Sequence, residues 1–136
     1  ADVWSVTSYK ELYLDAMDTE RTNTRKTSED KNYIDQCFEK EDGDVFVSAT
    51  DYLKAVPLTV GKYFPGDFYA LGTDGFGRSD NRGALRDFFE VDAEHIAFTA
   101  LSGLYKRNKV DKKTFNKTFK DLNIKKDKVN PVFQDI

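Results

Sequence analysis

Two carboxylates, Asp74 and Asp80, bracket the run Gly75-Phe76-Gly77-Arg78-Ser79. Such a pair can act as general acid and base only where a further functional group stands within reach. The surrounding stretch Tyr69–Arg82, YALGTDGFGRSDNR, supplies no histidine, cysteine or lysine. Hydrogen bonding that shapes the turn is the reading these neighbours favour. Phosphate templates fail here as well. Gly75-Phe76-Gly77-Arg78-Ser79-Asp80 lacks the third glycine of G-x-G-x-x-G, and no Gly-Lys-Ser/Thr follows. A calcium loop would need an oxygen ligand where Phe76 stands.

Two other residues have chemistry to offer. His95 is the one histidine and sits four residues into a predicted helix, where it reads as a partly exposed surface group. Cys37 is the one cysteine and falls on the apolar face of another predicted helix. It reads as a buried structural thiol, and without a second cysteine the natural setting is a reducing, cytoplasmic one. Neither has a companion at ligand spacing, so no metal centre is expected. No residue is assigned to catalysis or to cofactor binding.

The elements that position the acidic run are a strand and a helix. Phe68, Tyr69, Ala70 and Leu71 have strand composition and stop at Gly72; Ser79, Asp80 and Asn81 offer side-chain oxygens to cap a helix running through Leu85, Phe88 and Phe89. Strand, glycine-rich elbow and helix form the unit from which open α/β sheets present their loops. Asp74, Gly75, Phe76, Gly77, Arg78, Ser79 and Asp80 are therefore expected to form an ordered turn facing a neighbouring domain or subunit. A backbone-amide concavity beside Arg78, able to hold an anion, is expected with it.

The rest of the chain reads in order. Asp2 to Val6 alternates like a strand, set at Val3–Thr7, and Ser8-Tyr9-Lys10-Glu11 is a capping box. The helix it opens carries Tyr9, Leu12, Tyr13, Ala16 and Met17 on one face. Arg21–Asn32 has no apolar residue and predicts an exposed loop. Tyr33, Ile34, Cys37 and Phe38 predict a short helix ending in the charged cluster Glu39–Asp44. Val45–Ala49 is apolar enough for a strand buried on both faces of a parallel sheet. Pro57 belongs in the first turn of a helix that also holds Leu58, Gly61 and Phe64. Asp92 caps a helix with Ile96, Ala97, Ala100, Leu101, Leu104 and Tyr105 as its stripe. Asp111 caps a last helix with Phe115, Phe119 and Leu122, and Lys125–Ile136 reads as an extended tail. With no repeat and no linker, residues 1–136 read as a single domain: a three-layer open α/β sheet, mostly parallel.

Composition excludes several classes. No apolar run approaches the roughly 20 residues of a membrane span. A net charge of −3 makes no electrostatic case for nucleic acid. The lysines between Lys106 and Lys128 read as a solvated helix face.

LGTDGFGRSD, followed by FFEVDAEHI, VDKKTF and DKVNP, resembles the carboxy-terminal domain of the homodimeric, bacterial-type pyruvate dehydrogenase decarboxylating components, within the transketolase-like thiamine diphosphate enzymes. DVWSVTSYKEL and SATDYLK fit the same pattern, which covers nearly the whole chain and departs most at residues 22–44. The resemblance implies a structural and dimerisation domain of an enzyme that decarboxylates pyruvate and passes the acetyl group to lipoyl. Its implied partners are its own upstream catalytic domains, a second subunit and the dihydrolipoyl acetyltransferase. Thiamine diphosphate and Mg2+ are implied to bind elsewhere: their Gly-Asp-Gly motif is missing, with only Asp42-Gly43-Asp44 and Thr73-Asp74-Gly75 present. Two alternatives are the same domain of another transketolase-like enzyme and a free-standing α/β binding module. In the family fold a further strand lies between the equivalents of Val3–Thr7 and Val45–Ala49. The chain is thus expected to be a remnant lacking its first strand. Either a foreign strand would fill the gap, or these two segments would pair directly.

Overall fold

The computed structural model describes residues 1–134. Ser8 caps the first helix, α1 (Tyr9–Lys26), its hydroxyl accepting from the Glu11 N–H at 3.2 Å. The second helix, α2 (Tyr33–Phe38), opens on a full capping box, with Asn32 and Asp35 each accepting the other's backbone N–H. Then come strand β1 (Val45–Ala49), helix α3 (Ala55–Leu58), a 3-10 turn (Gly61–Tyr63) and strand β2 (Asp67–Leu71). Helices α4 (Arg82–Phe89), α5 (Ala93–Lys106) and α6 (Lys112–Asp121) follow, with a last 3-10 turn at Pro131–Phe133. Asn81, Asp92 and Asp111 cap α4, α5 and α6 through their side-chain oxygens.

The two strands pair in parallel, Val45 opposite Asp67 through Ala49 opposite Leu71. Period-two alternation then sends residues to two faces. Val45, Val47 and Tyr69 share the face covered by α5, whose Gly103 approaches so closely that a Cβ there would lie 2.8 Å from a Val45 methyl and 3.0 Å from the Tyr69 ring. Phe46, Ser48 and Phe68 share the other face, covered by α1 to α3; Tyr9 Oη lies 2.5 Å from Ser48 Oγ. The architecture is three layers, α/β/α, and parallel, as the sequence indicates. Among the described residues the sheet has two strands.

Aromatic side chains fill the second face. Trp4, Phe38, Phe46, Phe64 and Phe68 form a ladder with ring centroids 4.8 to 5.3 Å apart, within the range where tilted and edge-to-face pairs attract. Among the described residues the buried hydrophobic core is small: Ala16, Ile34, Val60 and Phe89. The chain exposes 9845 Å², whereas a compact chain of 15.6 kDa exposes about 7,200 Å².

Several expectations are corrected. Val3–Thr7 forms no strand: Val3 is 98% exposed, and the segment pairs with nothing in the sheet. Val3–Thr7 does not pair directly with β1, because alternation confers strand propensity but only a neighbour's backbone realises it. Trp4 packs on Phe38 instead. The predicted loop at Arg21–Asn32 is helical to Lys26, since polar Arg, Lys and Thr propagate a helix already nucleated by its apolar half. Thr27 closes it in the left-handed region at φ 53°, and the Asn23 side chain holds the remainder by bonds of 2.9 Å to Ser28 and Asp30. Leu58, Gly61 and Phe64 do not share one helix; α3 ends at Leu58, Gly61 begins the 3-10 turn, and Phe64 is extended. β1 is half-buried along most of its length rather than buried on both faces, and among the described residues only β2 pairs with it. The tail is extended only in part, with the turn at Pro131–Phe133 inside it, and Asp135 and Ile136 lie outside the described residues.

Candidate functional site

Parallel strands deliver their loops to one end, and here the loops after β1 and β2 are sewn together. The Leu71 carbonyl accepts from the Thr50 N–H at 3.1 Å, and the Tyr52 carbonyl accepts from the Thr73 N–H at 3.0 Å. Thr73 Oγ1 donates to the Asp51 carbonyl at 2.6 Å. Asp74 Oδ1 accepts from the Lys54 N–H at 2.9 Å, just before α3. Gly72 is buried at the seam; a Cβ there would stand 2.5 Å from the Tyr52 carbonyl oxygen and 2.9 Å from the Lys54 nitrogen. Only glycine allows the two loops to close to this distance.

Beyond Asp74 the elbow turns outward. Gly75 has φ 98°, and a Cβ on it would meet Val132 Cα of the carboxy-terminal turn at 3.4 Å. Gly77 has nothing within 4 Å of where a Cβ would be. Phe76 is 77% exposed, and Tyr52, Leu53, Val132 and Phe133, on the two segments that meet the elbow at Gly72–Gly75, are exposed as well. The Arg78 guanidinium lies 4.1 Å from the Phe88 ring centroid, a cation–π contact that leaves its hydrogen-bonding edge toward solvent. Among the described residues no carboxylate pairs with it. Asp80 Oδ1 accepts from the Asn81 N–H at 2.7 Å, and Asn81 Oδ1 accepts from the Ala84 N–H at 2.9 Å to start α4.

Asp74 and Asp80 thus hydrogen-bond to different backbone N–H groups, Lys54 and Asn81. Ser79 is exposed and makes no cap; of the three candidate capping residues Asn81 does the work, with Asp80 bonded to Asn81 itself.

Two sequence readings fare differently. His95 is more enclosed than a surface group, its side chain 13% exposed, with Nδ1 2.6 Å from Asp92 Oδ1. Asp87, Asp92 and His95 bring ligand-type atoms within 4.8 Å of one another, a grouping that the expected isolation of His95 misses. The Asp92–His95 spacing of three, the cap and third helical position, was the signal. The cluster is organised as a cap: Asp92 Oδ1 already takes the His95 backbone N–H at 2.9 Å. Nearby, Lys128 Nζ donates to the Asp87 backbone carbonyl and lies 3.6 Å from Glu90 Oε1. Cys37 is half-buried, unpaired by any disulfide, and less enclosed than expected.

The opposite end of the sheet carries an ionic grouping. Arg107, just past α5, donates from Nε to Asp67 at 2.8 Å and from Nη1 to Asp44 at 3.0 Å, and Lys109 stands 3.4 Å from Asp44. The hydrogen bond from Arg107 holds the Asp67 carboxyl below its ordinary range. Sequence reasoning missed this grouping because its members lie far apart in the chain.

No described helix is long and apolar enough to cross a membrane. A family model for the Transketolase-like TK C-terminal domain matches residues 1–92. The chain is similar to proteins named pyruvate dehydrogenase E1 component: 45% identical over 134 residues to that of Escherichia coli strain K12, 41% over 133 to that of Buchnera aphidicola subsp. Schizaphis graminum, and 37% over 135 to that of Pseudomonas aeruginosa. These matches cover 96 to 97% of this chain and 15% of each relative.

Proposed function

The chain belongs to the Transketolase-like TK C-terminal domain family, and from that premise we propose that residues 1–136 act as one architectural domain of a thiamine diphosphate-dependent pyruvate dehydrogenase. In this reading it does no chemistry itself. It packs against the catalytic domains and the second subunit of a cytoplasmic enzyme, which delivers acetyl groups to the lipoyl-bearing acetyltransferase of the pyruvate dehydrogenase complex. The observation that carries the reading is surface. The chain exposes about 2,600 Å² more than a compact chain of its mass, and part of the excess is the apolar rim of the elbow. Patches of that kind mark contacts with other protein surfaces.

Thiamine diphosphate supplies the electron sink for decarboxylating a 2-oxo acid. The residues of this chain do not fit it. The elbow carboxylate nearest in kind to a metal-diphosphate ligand, Asp74, is committed to the Lys54 N–H. We therefore assign the cofactor and Mg2+ to other parts of the enzyme. The elbow, Asp74 to Asp80, becomes the contact: Phe76 enters an apolar hollow on a neighbour, and Arg78 meets a carboxylate or another anion beside it.

The test replaces the matching segment of the Escherichia coli relative with this chain. The chimera should assemble as the parent does and retain pyruvate decarboxylation. Phe76→Asp in the chimera should weaken assembly at least tenfold without lowering the thermal midpoint of the free chain. A chimera that assembles equally well with Phe76→Asp would refute the elbow contact. Calorimetric titration of the free chain with thiamine diphosphate and Mg2+ should show no saturable binding, and micromolar binding would refute the architectural reading.

A further inference from the structure

The net charge of −3 conceals an uneven division. Residues 106–128 carry ten lysines and arginines against three aspartates, a net of +7, which leaves −10 for the other residues. Much of that positive charge sits on α6. At about 100° per residue, Lys112, Asn116, Lys120, Lys113 and Lys117 fall within an arc of about 140°. All five are exposed, and together they line an open surface hollow. The neighbouring arc, on the Lys112 side, carries Phe115 and Phe119, which pack on Phe98 of α5 at 5.9 and 5.3 Å between ring centroids. α6 is thus held by its apolar side and offers a face of one sign.

That face lacks the mixture of charges found on the other long surface helix. α1 interleaves Lys10, Glu11, Asp15, Asp18, Arg21 and Arg25, whereas no acid lies on the lysine arc. Asp111 is occupied at the cap by Thr114, at 2.8 and 3.0 Å. Lys113 and Lys117 stand four apart and Lys117 and Lys120 three apart, so each pair repels and weakens the helix by about 0.2–0.5 kcal/mol. No carboxylate among the described residues pairs with Lys112, Lys113, Lys117 or Lys120.

We propose that this arc of α6 docks an acidic polypeptide segment. The four ammonium groups spread over about 12 Å of helix axis at 1.5 Å per residue. An extended peptide advancing about 3.3 Å per residue covers the same span with about four residues, so the occupant is a contiguous run of four to six aspartates or glutamates. The other residues carry a net charge of −10, which repels a long polyphosphate more than a short acidic run, and the arc offers no exposed aromatic ring on which a base could stack. Nor does it expose the apolar residues by which a helix settles on a membrane. Charge therefore selects the partner, and carboxylates on a peptide satisfy it.

The test uses the full chain and a fluorescein-labelled octapeptide of alternating aspartate and glutamate, followed by anisotropy. Binding should weaken at least tenfold from 50 to 200 mM salt, as screening shortens the reach of the lysines. Lys113→Gln/Lys117→Gln/Lys120→Gln should weaken it at least tenfold, whereas Lys10→Gln/Lys26→Gln on α1 should change it less than twofold. A peptide with the same number of carboxylates, spaced by glycine and serine, should bind at least fivefold more weakly. Circular dichroism should show the same helix content in both variants. Absence of octapeptide binding, or binding indifferent to the triple substitution, would overturn the proposal. Tighter binding of an oligothymidylate or of phosphatidylserine vesicles would overturn it in favour of nucleic acid or membrane. Self-association abolished by the triple substitution would assign the arc to a second copy of the chain.

Discussion

The two ends of the β1–β2 sheet close a parallel pair with different shares of side chain and backbone. At the amino ends one main-chain bond, from the Asp67 N–H to the Asp44 carbonyl beside Gly66, is reinforced by side chains: Arg107 and Lys109 reach across to Asp44 and Asp67, and charges the strands bring in are matched within the chain. At the carboxyl ends, backbone closes it: the loops after β1 and β2 share main-chain hydrogen bonds over Gly72, and the side chains left over, Phe76 and Arg78 among them, point away. One end is self-sufficient; the other fixes its backbone as far as Asp74 and leaves Phe76 exposed beyond it. An apolar side chain carried just past a hydrogen-bonded seam suits a contact surface, because less of its anchor has to be ordered when a partner arrives.

The sharpest way to break this comparison is at the seam. Gly72→Ala places a methyl against two backbone atoms that cannot yield separately, and it should lower unfolding free energy by about 2–3 kcal/mol in urea denaturation. A change under 0.5 kcal/mol would mean the loops are not sewn as described. Next in size, Asp74→Ala removes the acceptor of the part-buried Lys54 N–H and should cost about 1–2 kcal/mol by the same measurement.

At the amino ends the effect is smaller and depends on pH. Asp67 is held below its ordinary value near 3.8 by Arg107, so the native state favours the ionised form. That stability is present above pH 4 and is lost as the pH falls through the lowered value. Arg107→Met should therefore lower the thermal midpoint slightly at pH 7, and the difference from the parent should shrink toward pH 3. A difference that grew on acidification would contradict the pairing. Smallest of all, Gly77→Ala meets empty space and should change the free chain by less than about 0.5 kcal/mol, setting it apart from Gly72→Ala five residues earlier.

Local chemistry was legible in the sequence; partnership was not. The caps at Ser8, Asn81, Asp92 and Asp111 could be read because a cap is decided within four residues. The parallel pair could be read from its apolar runs and from the elbow between β2 and α4. Val3–Thr7 was misread because a strand exists only where another strand accepts it, and nothing in Val-Trp-Ser-Val says whether one does. The helix through Arg21–Lys26 was missed because its support is continuity with α1 and a Glu20–Lys62 contact at 2.8 Å from far along the chain. Arg107 with Asp44 and Asp67 escaped for the same reason. For the elbow, sequence assigned the turn and its glycines, but not the different work of each: Gly72 for contact, Gly75 for its φ, Gly77 for neither.

The register of the sheet also has a consequence in time. Val45 and Asp67 are paired across a short crossover, so the ladder is complete in sequence once Leu71 has been made. Its cover comes later, when α5 brings Gly103 against Val45 and Tyr69. At about 5–20 residues per second, a ribosome takes roughly 2–6 s to travel from Leu71 to Gly103. For that interval Val45, Val47 and Tyr69 are on a nascent chain without the helix that covers them, and shielding these apolar side chains falls to whatever waits at the exit tunnel.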